Sequence, residues 1–343
     1  MNLRKAFVVA KSVGKFGGVT IENIPALTKI PDTHVAVHMK ASRINPADMD
    51  IASGLPFGSP VKKDYEEHNL AGVDGSGTIS KVGSAVKDLN VGDNVFIYRQ
   101  FTDIGTWAEE VCVPAKFVAK VPKSLSLEDI GALSLTASTA YDSLFNTLKV
   151  QRGQSILILG AGGGVGFSAV QFAVHAGLTV IAYASRRDFD KLEKVGVKRC
   201  IDYRSESLES VLKPGDVDLV FDAAGKSSLS QLCRDLQPKK LCSIKHPNSE
   251  AMPGIGIELG WFWKTLLSLI SFKDNRAARK SGVELLGQVT PAGHPTLLNS
   301  VAKRIDEIGG DKFQVSYTTI SLGEIESAGG LTEKDVGKVI LFP

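Results

Sequence analysis

Ser155-Ile156-Leu157-Ile158-Leu159-Gly160-Ala161-Gly162-Gly163-Gly164-Val165-Gly166 is the stretch from which the rest of the chain can be read. Residues 155–159 form a short, almost wholly apolar run, as a strand buried on both faces of a parallel sheet requires. Residues 163–176 then carry helical spacing, and Gly177 is a fitting C-terminal cap. Between strand and helix the glycines remove side chains. The first N–H groups of a helix lack partners, and its dipole favours an anion there. A strand, a glycine loop and a helix in this order are the setting in which such a loop takes the pyrophosphate of a dinucleotide. Gly162, Gly163, Gly164, Val165 and Gly166 are therefore candidate cofactor-binding residues. Gly166 also serves close packing of helix on strand.

The next apolar run, 179–184, is the second strand of the unit. A loop selective for NAD usually has Asp or Glu near its end, to hold the ribose 2′-OH. Here the chain reads Ala184-Ser185-Arg186-Arg187. A hydroxyl and two guanidinium groups suit a 2′-phosphate, because the planar fork of Arg matches it. Ser185, Arg186 and Arg187 thus point to NADPH. Asp188 follows, and is expected beyond the strand in the first helical turn.

Working outward, helix and strand alternate from about residue 126. Helical spacing covers 127–133 and 136–148. Further strands are expected at 199–203, 218–221, 240–244 and 283–286. This repetition predicts an open, mostly parallel, doubly wound sheet. Residues before about 122 instead read as short strands, at 5–10, 19–24, 34–41, 75–82 and 94–97, separated by Gly, Pro and Asp turns. Beyond about 291 come one amphipathic helix, 297–308, and strands at 316–320 and 338–342. That last zone is too small to stand alone and is expected to complete the N-terminal domain. The expected division is 1–125 with 291–343 as one domain and 126–290 as the other, an α/β protein.

The 343 residues carry 40 Lys and Arg against 37 Asp and Glu, a net charge of +3 with the basic residues scattered. That balance gives no reason to expect nucleic acid as a partner. Cys112, Cys200, Cys233 and Cys242 form no C-x-x-C pair and read as free thiols of a reducing compartment. The N-terminus shows no signal-peptide pattern, so cytoplasmic residence is the expectation. The segment 256–272 stands apart, with Trp261-Phe262-Trp263-Lys264-Thr265-Leu266-Leu267-Ser268-Leu269-Ile270 at its centre. It is too short for a bilayer span. Three readings are open: a buried or dimer-facing helix, a lid over the substrate site, and a monotopic membrane anchor with Lys273, Arg276, Arg279 and Lys280 behind it. The first is favoured.

Several local patterns in the expected order resemble the medium-chain dehydrogenase/reductase superfamily, and within it the quinone oxidoreductase branch. Asn45-Pro46-Ala47-Asp48 resembles its N-P-x-D segment, and Val91-Gly92-Asp93-Asn94-Val95 its V-G-D-x-V turn. Leu135-Thr136-Ala137-Ser138-Thr139-Ala140-Tyr141 is similar to its L-T-A-x-T-A-Y helix. Asp222-Ala223-Ala224-Gly225 resembles D-x-x-G, and Gly337-Lys338-Val339-Ile340-Leu341 its G-K-x-V-L close. The resemblance covers nearly the whole chain. It implies a β-rich GroES-like catalytic domain joined to a Rossmann dinucleotide-binding domain, and a homodimer, for which the strand at 283–286 offers a pairing edge.

The resemblance also implies what is absent. Zinc alcohol dehydrogenases share this architecture, but Asn45 stands in the place of one ligand cysteine, and Glu67-His68-Asn69 in the place of Gly-His-Glu. His68 alone cannot hold a catalytic zinc, which takes three protein ligands. No metal is therefore expected. Without a Lewis acid, hydride transfer suits an acceptor that is already electrophilic, a quinone or an α,β-unsaturated carbonyl. The resemblance puts Asn45 beside the nicotinamide as a donor to acceptor or cofactor, although it also reads as a loop cap before Pro46. Thr136 is expected at the carboxamide or ribose, Tyr203 near the adenosine phosphate, and Lys338 at the cofactor. Asp50, Phe57 and Tyr65 are the expected substrate-site residues. A 2-alkenal or enone reductase is the alternative within the same chemistry. A weakly active, NADPH-binding, membrane-associated member of the family is the alternative of another class.

Overall fold

The computed structural model describes residues 3–9, 19–52, 70–101, 103, 105–246, 248–250, 252–255, 257–291, 295–328 and 330–343. Strands β1 (Leu3–Val9) and β2 (Val19–Pro25) form an antiparallel ribbon. They lead into β3 (His34–Arg43), the short helix α1 (Pro46–Ala52), β4 (Asp74–Val82), β5 (Asn94–Tyr98), β6 (Glu110–Pro114) and β7 (Val118–Lys120). Helix α2 (Leu127–Gly131) starts at a capping box in which Ser126 and Asp129 satisfy each other's backbone N–H groups. Helix α3 (Ser134–Tyr141) continues into a π-helical turn over 142–148.

An alternating series follows: β8 (Ser155–Leu159), α4 (Gly164–His175), β9 (Thr179–Ala184), α5 (Phe189–Lys194), β10 (Arg199–Asp202), α6 (Leu208–Val211), β11 (Leu219–Asp222), α7 (Leu229–Leu236), β12 (Lys240–Ser243), α8 (Trp261–Ser281) and β13 (Glu284–Gly287). Helix α9 (Pro295–Ile308), β14 (Thr319–Ser321), α10 (Leu322–Ser327) and β15 (Val339–Leu341) end the chain.

The strands sort by their sequence texture. The apolar runs make a six-stranded, wholly parallel sheet in the order β10-β9-β8-β11-β12-β13. Leu157, Ile158, Leu159, Val220 and Phe221 are fully buried at its centre, with helices covering both faces. The N-terminal strands make a seven-stranded, mainly antiparallel sheet, completed by β15, which pairs antiparallel with β3. That pairing brings Gly337 back to Ile44, where each residue's neighbourhood exchanges backbone hydrogen bonds: Gly337 N–H to Ile44 O at 2.7 Å and Ile44 N–H to Lys338 O at 2.9 Å. The apolar face of α9, with Leu298, Val301 and Ile305, sits in the cluster that also holds Phe96, Leu144, Phe172 and Phe313. One core thus runs from the antiparallel sheet into the parallel one.

Chain order reverses between β8 and β11, so their C-terminal ends open a crevice, the place where doubly wound sheets bind ligands. The mixed α/β class and the two kinds of sheet agree with the sequence reading. Three local expectations do not. The helix expected over 136–148 changes pitch at Asp142 to a π turn. Periodicity over so short a span does not separate the two pitches. The strands expected at 316–320 and 338–342 shrink to three residues each, because β14 pairs with β15 alone on one side and ends the sheet. The stretch 261–270, expected to be buried or dimer-facing, is not buried within the chain: α8 projects, with Trp261 80%, Leu269 68% and Ile270 62% exposed, whereas Ile257 ahead of it is buried. All four cysteines are free thiols.

Candidate active site

A cleft of about 690 Å³ lies between the two sheets. One wall is the glycine loop. Gly160 takes a left-handed backbone (φ 73°), which glycine reaches without steric cost. Helix α4 begins at Gly164 with no side chain capping its N-terminus, and Gly163 to Gly166 line the cleft. A Cβ on Gly166 would collide with the carbonyl oxygen of Gly160, so this glycine sets how closely helix and strand approach. A Cβ on Gly163 would stand 3.4 Å from that same oxygen, an ordinary contact. Gly163 is therefore free to serve the ligand, while Gly166 serves the fold.

Arg43, at the end of β3, reaches this loop from the other sheet. Its guanidinium carbon lies 3.3 Å from the Cβ position of Gly164, and it donates to the Ala132 carbonyl at 3.1 Å. Burial lowers its pKa, yet a guanidinium remains charged. A fixed cation beside an uncapped helix N-terminus is a site for phosphate oxygens. Lys226 and Lys245 line the same cleft from the ends of β11 and β12. The sequence reading gave Arg43 no role, although it stands two residues before Asn45. The turn after β11 is shaped by Asp222, whose carboxylate accepts from Gly225 N–H at 2.9 Å and Ser243 Oγ at 2.9 Å. Burial raises the pKa of that carboxyl.

Asn45 lines the cleft, almost wholly buried. Its amide nitrogen donates to Arg43 O and to Asp74 Oδ1, both at 3.1 Å. Both N–H bonds are thereby engaged within the protein, and the amide oxygen is the group left for a ligand. Asp74 is fully buried and also accepts from Leu135 N–H at 2.9 Å. Burial pushes its pKa up to about 7 against those donors. Asp48, of the same segment, accepts from Asn45 N–H at 2.6 Å. Burial, and then the neighbouring Asp74, raise its pKa well above the carboxylate range, and its Oδ1 is buried without a hydrogen bond. A proton on one of these two acids is the arrangement that removes like-charge repulsion. The sequence reading did not single out Asp74; only the fold shows that it lies beneath Asn45 and Leu135 at the cleft.

Thr136 lines the cleft, but its hydroxyl turns back to the Leu133 carbonyl at 3.2 Å, leaving its methyl toward Gly164. Tyr98, at the end of β5, is an aromatic hydroxyl of the cleft that the sequence reading, which named Phe57 and Tyr65, did not include. It lines the cleft and donates to Thr290 O at 3.1 Å, and burial raises its pKa. Below it, Gln288 donates to Asp142 Oδ2 at 2.6 Å and accepts from Thr147 Oγ1 at 2.7 Å. Asp142 and Thr147 both belong to the π turn, an element frequent at functional sites. Apolar walls come from Phe101, Leu135, Met252, Ile255 and Ile257.

The other expected residues lie farther out. Ser185 is buried at the end of β9, with Arg186 and Arg187 exposed beside it. Asp188 closes the 3₁₀ turn there, and its carboxylate lies against Gly162, paired with Lys191 at 2.8 Å. Tyr203 is 49% exposed and packs edge-on against Tyr183. Lys338 does not line the cleft; its ammonium pairs with Asp335 at 2.8 Å. Asp50 belongs to α1, and its side chain is not described. Phe57, Tyr65 and His68 lie outside the described residues. Among the described residues no group of three or more His, Cys, Asp or Glu is placed to hold a metal ion.

Comparison with known proteins agrees with this architecture. Residues 31–123 match the alcohol dehydrogenase GroES-like domain, and residues 164–240 the zinc-binding dehydrogenase family. The chain is 30% identical over 247 residues to 2-haloacrylate reductase of Burkholderia sp, covering 68% of this chain and 73% of that protein. It is 32% identical to the NADPH-dependent alkenal/one oxidoreductase of Arabidopsis thaliana, covering 61% of this chain and 55% of that one. With several other curated relatives the match spans less than three fifths of their length. In fold it is similar to the quinone oxidoreductase of Coxiella burnetii, with a TM-score of 0.77, 23% identity and 99% of each chain covered. The chain belongs to the medium-chain dehydrogenase/reductase superfamily, in its quinone oxidoreductase-like branch. Members of that superfamily use a nicotinamide cofactor.

Proposed function

We propose that this protein is an NADPH-dependent, zinc-independent reductase of a quinone or another α,β-unsaturated carbonyl. The observation that carries the reading is the cleft itself: an uncapped helix N-terminus and Arg43 at one side, and an apolar chamber with Asn45 and Tyr98 beyond. The site fits a dinucleotide. Gly163 to Val165 and Arg43 would hold its pyrophosphate, and Ser185, Arg186 and Arg187 its 2′-phosphate. When bound, NADPH supplies the hydride.

The chain's own residues then bind, orient and exclude water. The apolar side chains of Phe101, Leu135 and Ile257 dehydrate the acceptor. The Asn45 amide nitrogen is held by Asp74 and Arg43 O, so its amide oxygen would be left to accept a hydrogen bond from the cofactor's carboxamide. The Tyr98 hydroxyl lines the cleft and would be a donor to a developing enolate oxygen once it leaves Thr290 O. Asn45 in place of a ligand cysteine supports metal independence. A homodimer through the open edge of β13 belongs to the same reading.

A second reading on the cofactor has its own observation. The Asp188 carboxylate beside Gly162 is an acid near the loop, as NAD-selective sites have. The test is turnover with NADPH and NADH against a panel of quinones, 2-alkenals and simple alcohols, on protein of known metal content. NADPH-dependent reduction of quinones or alkenals without metal is the expected result. Oxidation of alcohols by a zinc-loaded form, lost on chelation, would overturn the proposal.

A further inference from the structure

The first ten residues of α8 are open to solvent almost all round. Only Ser271, Ala277 and Ala278 of the whole helix are buried, and α7 is its main support. At 100° per residue, Trp261, Phe262, Leu269 and Phe272 fall on one arc opposite Ala277 and Ala278. They are 80%, 58%, 68% and 61% exposed. Farther along the same arc come Arg276, Arg279 and Lys280, with Lys273 at its edge, all exposed. The outward face is thus divided along its length: apolar for about 16 Å, then basic. The helix holds five Lys and Arg against the single Asp274, whose carboxylate turns inward to Ser230 N–H at 3.0 Å. With a chain net charge of +3, the rest of the protein is close to neutral. Among the described residues no helix is long and apolar enough to cross a membrane.

We propose that α8 docks this protein on an anionic lipid surface, with Trp261, Phe262, Leu269 and Phe272 entering the interface and Arg276, Arg279 and Lys280 meeting the phosphates. Tryptophan with Leu and Phe, backed by basic residues, is the composition of an interfacial helix. Charge decides between a bilayer and a second copy of the chain. A near-neutral partner surface offers nothing to the basic end of the helix, whereas an anionic leaflet attracts it. Met252, Ile255 and Ile257 line the cleft just ahead of the helix. Three residues separate Ile257 from Trp261, four steps and at most about 14 Å of chain. Docking therefore brings a wall of the cleft near the lipid, where apolar quinones and alkenals concentrate. This consequence for substrate supply rests on the proposed function; the docking does not.

The test is co-sedimentation of the full chain with vesicles of phosphatidylcholine, with and without phosphatidylserine. Two variants accompany it: Trp261→Ser with Phe262→Ser and Leu269→Ser, and Arg276→Glu with Arg279→Glu and Lys280→Glu. Sedimentation equilibrium reports the oligomeric state of each. Binding to the serine-lipid vesicles alone, reduced at least about tenfold in both variants and by salt, with oligomeric state unchanged, is the expected result. Turnover of a water-soluble acceptor stays at the wild-type rate in both, which separates docking from catalysis. No binding by the wild-type protein, or equal binding to both vesicle types, overturns the proposal. A loss of oligomer in the variants without vesicle binding overturns it too, and assigns the face to a second copy.

Discussion

The Asn45 side chain donates its amide hydrogen to the buried carboxylate of Asp74 across 3.1 Å, tying the end of β3 to the start of β4 beneath the cleft. Asp74 holds Leu135 N–H with its other oxygen, so one acid positions both Asn45 and the helix that carries Thr136. The residue facing the ligand is thus oriented by a residue that does not reach it.

Removing that link has a defined cost. Asn45→Ala leaves Asp74 Oδ1 without its donor, and a buried group deprived of a partner costs about 1–3 kcal/mol. A fall of that size in urea-unfolding free energy, together with a drop in kcat/KM, is expected. A variant with unchanged stability and unchanged kinetics would contradict the role assigned to the pair.

Asp74 also gives stability a pH dependence with a definite sign. Its carboxyl titrates near 7 in the folded protein and near 3.8 when unfolded. Between those values the folded state holds the extra proton, so the contribution is fully present below about 4 and is lost as pH rises towards 7. Asp48 acts in the same direction. The slope from one such group reaches about 1.4 kcal/mol per pH unit. Urea midpoints measured from pH 5 to 8 are expected to fall in the wild type and to fall less steeply in Asp74→Asn.

The two loop glycines separate folding from binding. Gly166→Ala drives a methyl against the Gly160 carbonyl, and overpacking of this kind costs about 1–3 kcal/mol, visible as a lowered Tm without cofactor. Gly163→Ala meets only an ordinary contact, so Tm stays and the NADPH Kd rises. Calorimetry showing the reverse order would refute this division of labour.

Charge assignments at the cofactor site differ in what they discriminate. Arg43→Gln is expected to weaken NADPH and NADH alike, by roughly tenfold, since the pyrophosphate is common to both. Arg186→Ala and Arg187→Ala are expected to weaken NADPH alone. Asp188→Asn tests the other reading: a selective loss of NADH binding would favour NAD as the cofactor.

The sequence alone determined the parallel sheet and the glycine loop between its first strand and helix. Those depend on patterns within a few residues: apolar runs, turn glycines and helix starts. It also brought Asn45 and Thr136 forward by their motifs. Only the tertiary structure decided which groups those residues have left to offer, because the partners lie far along the chain: Asp74 for Asn45, Thr290 for Tyr98, Gly164 for Arg43. The same holds for the segment around Trp261. Its composition suits a buried helix and an exposed one equally well, and burial is a property of what packs beside a helix rather than of the helix itself.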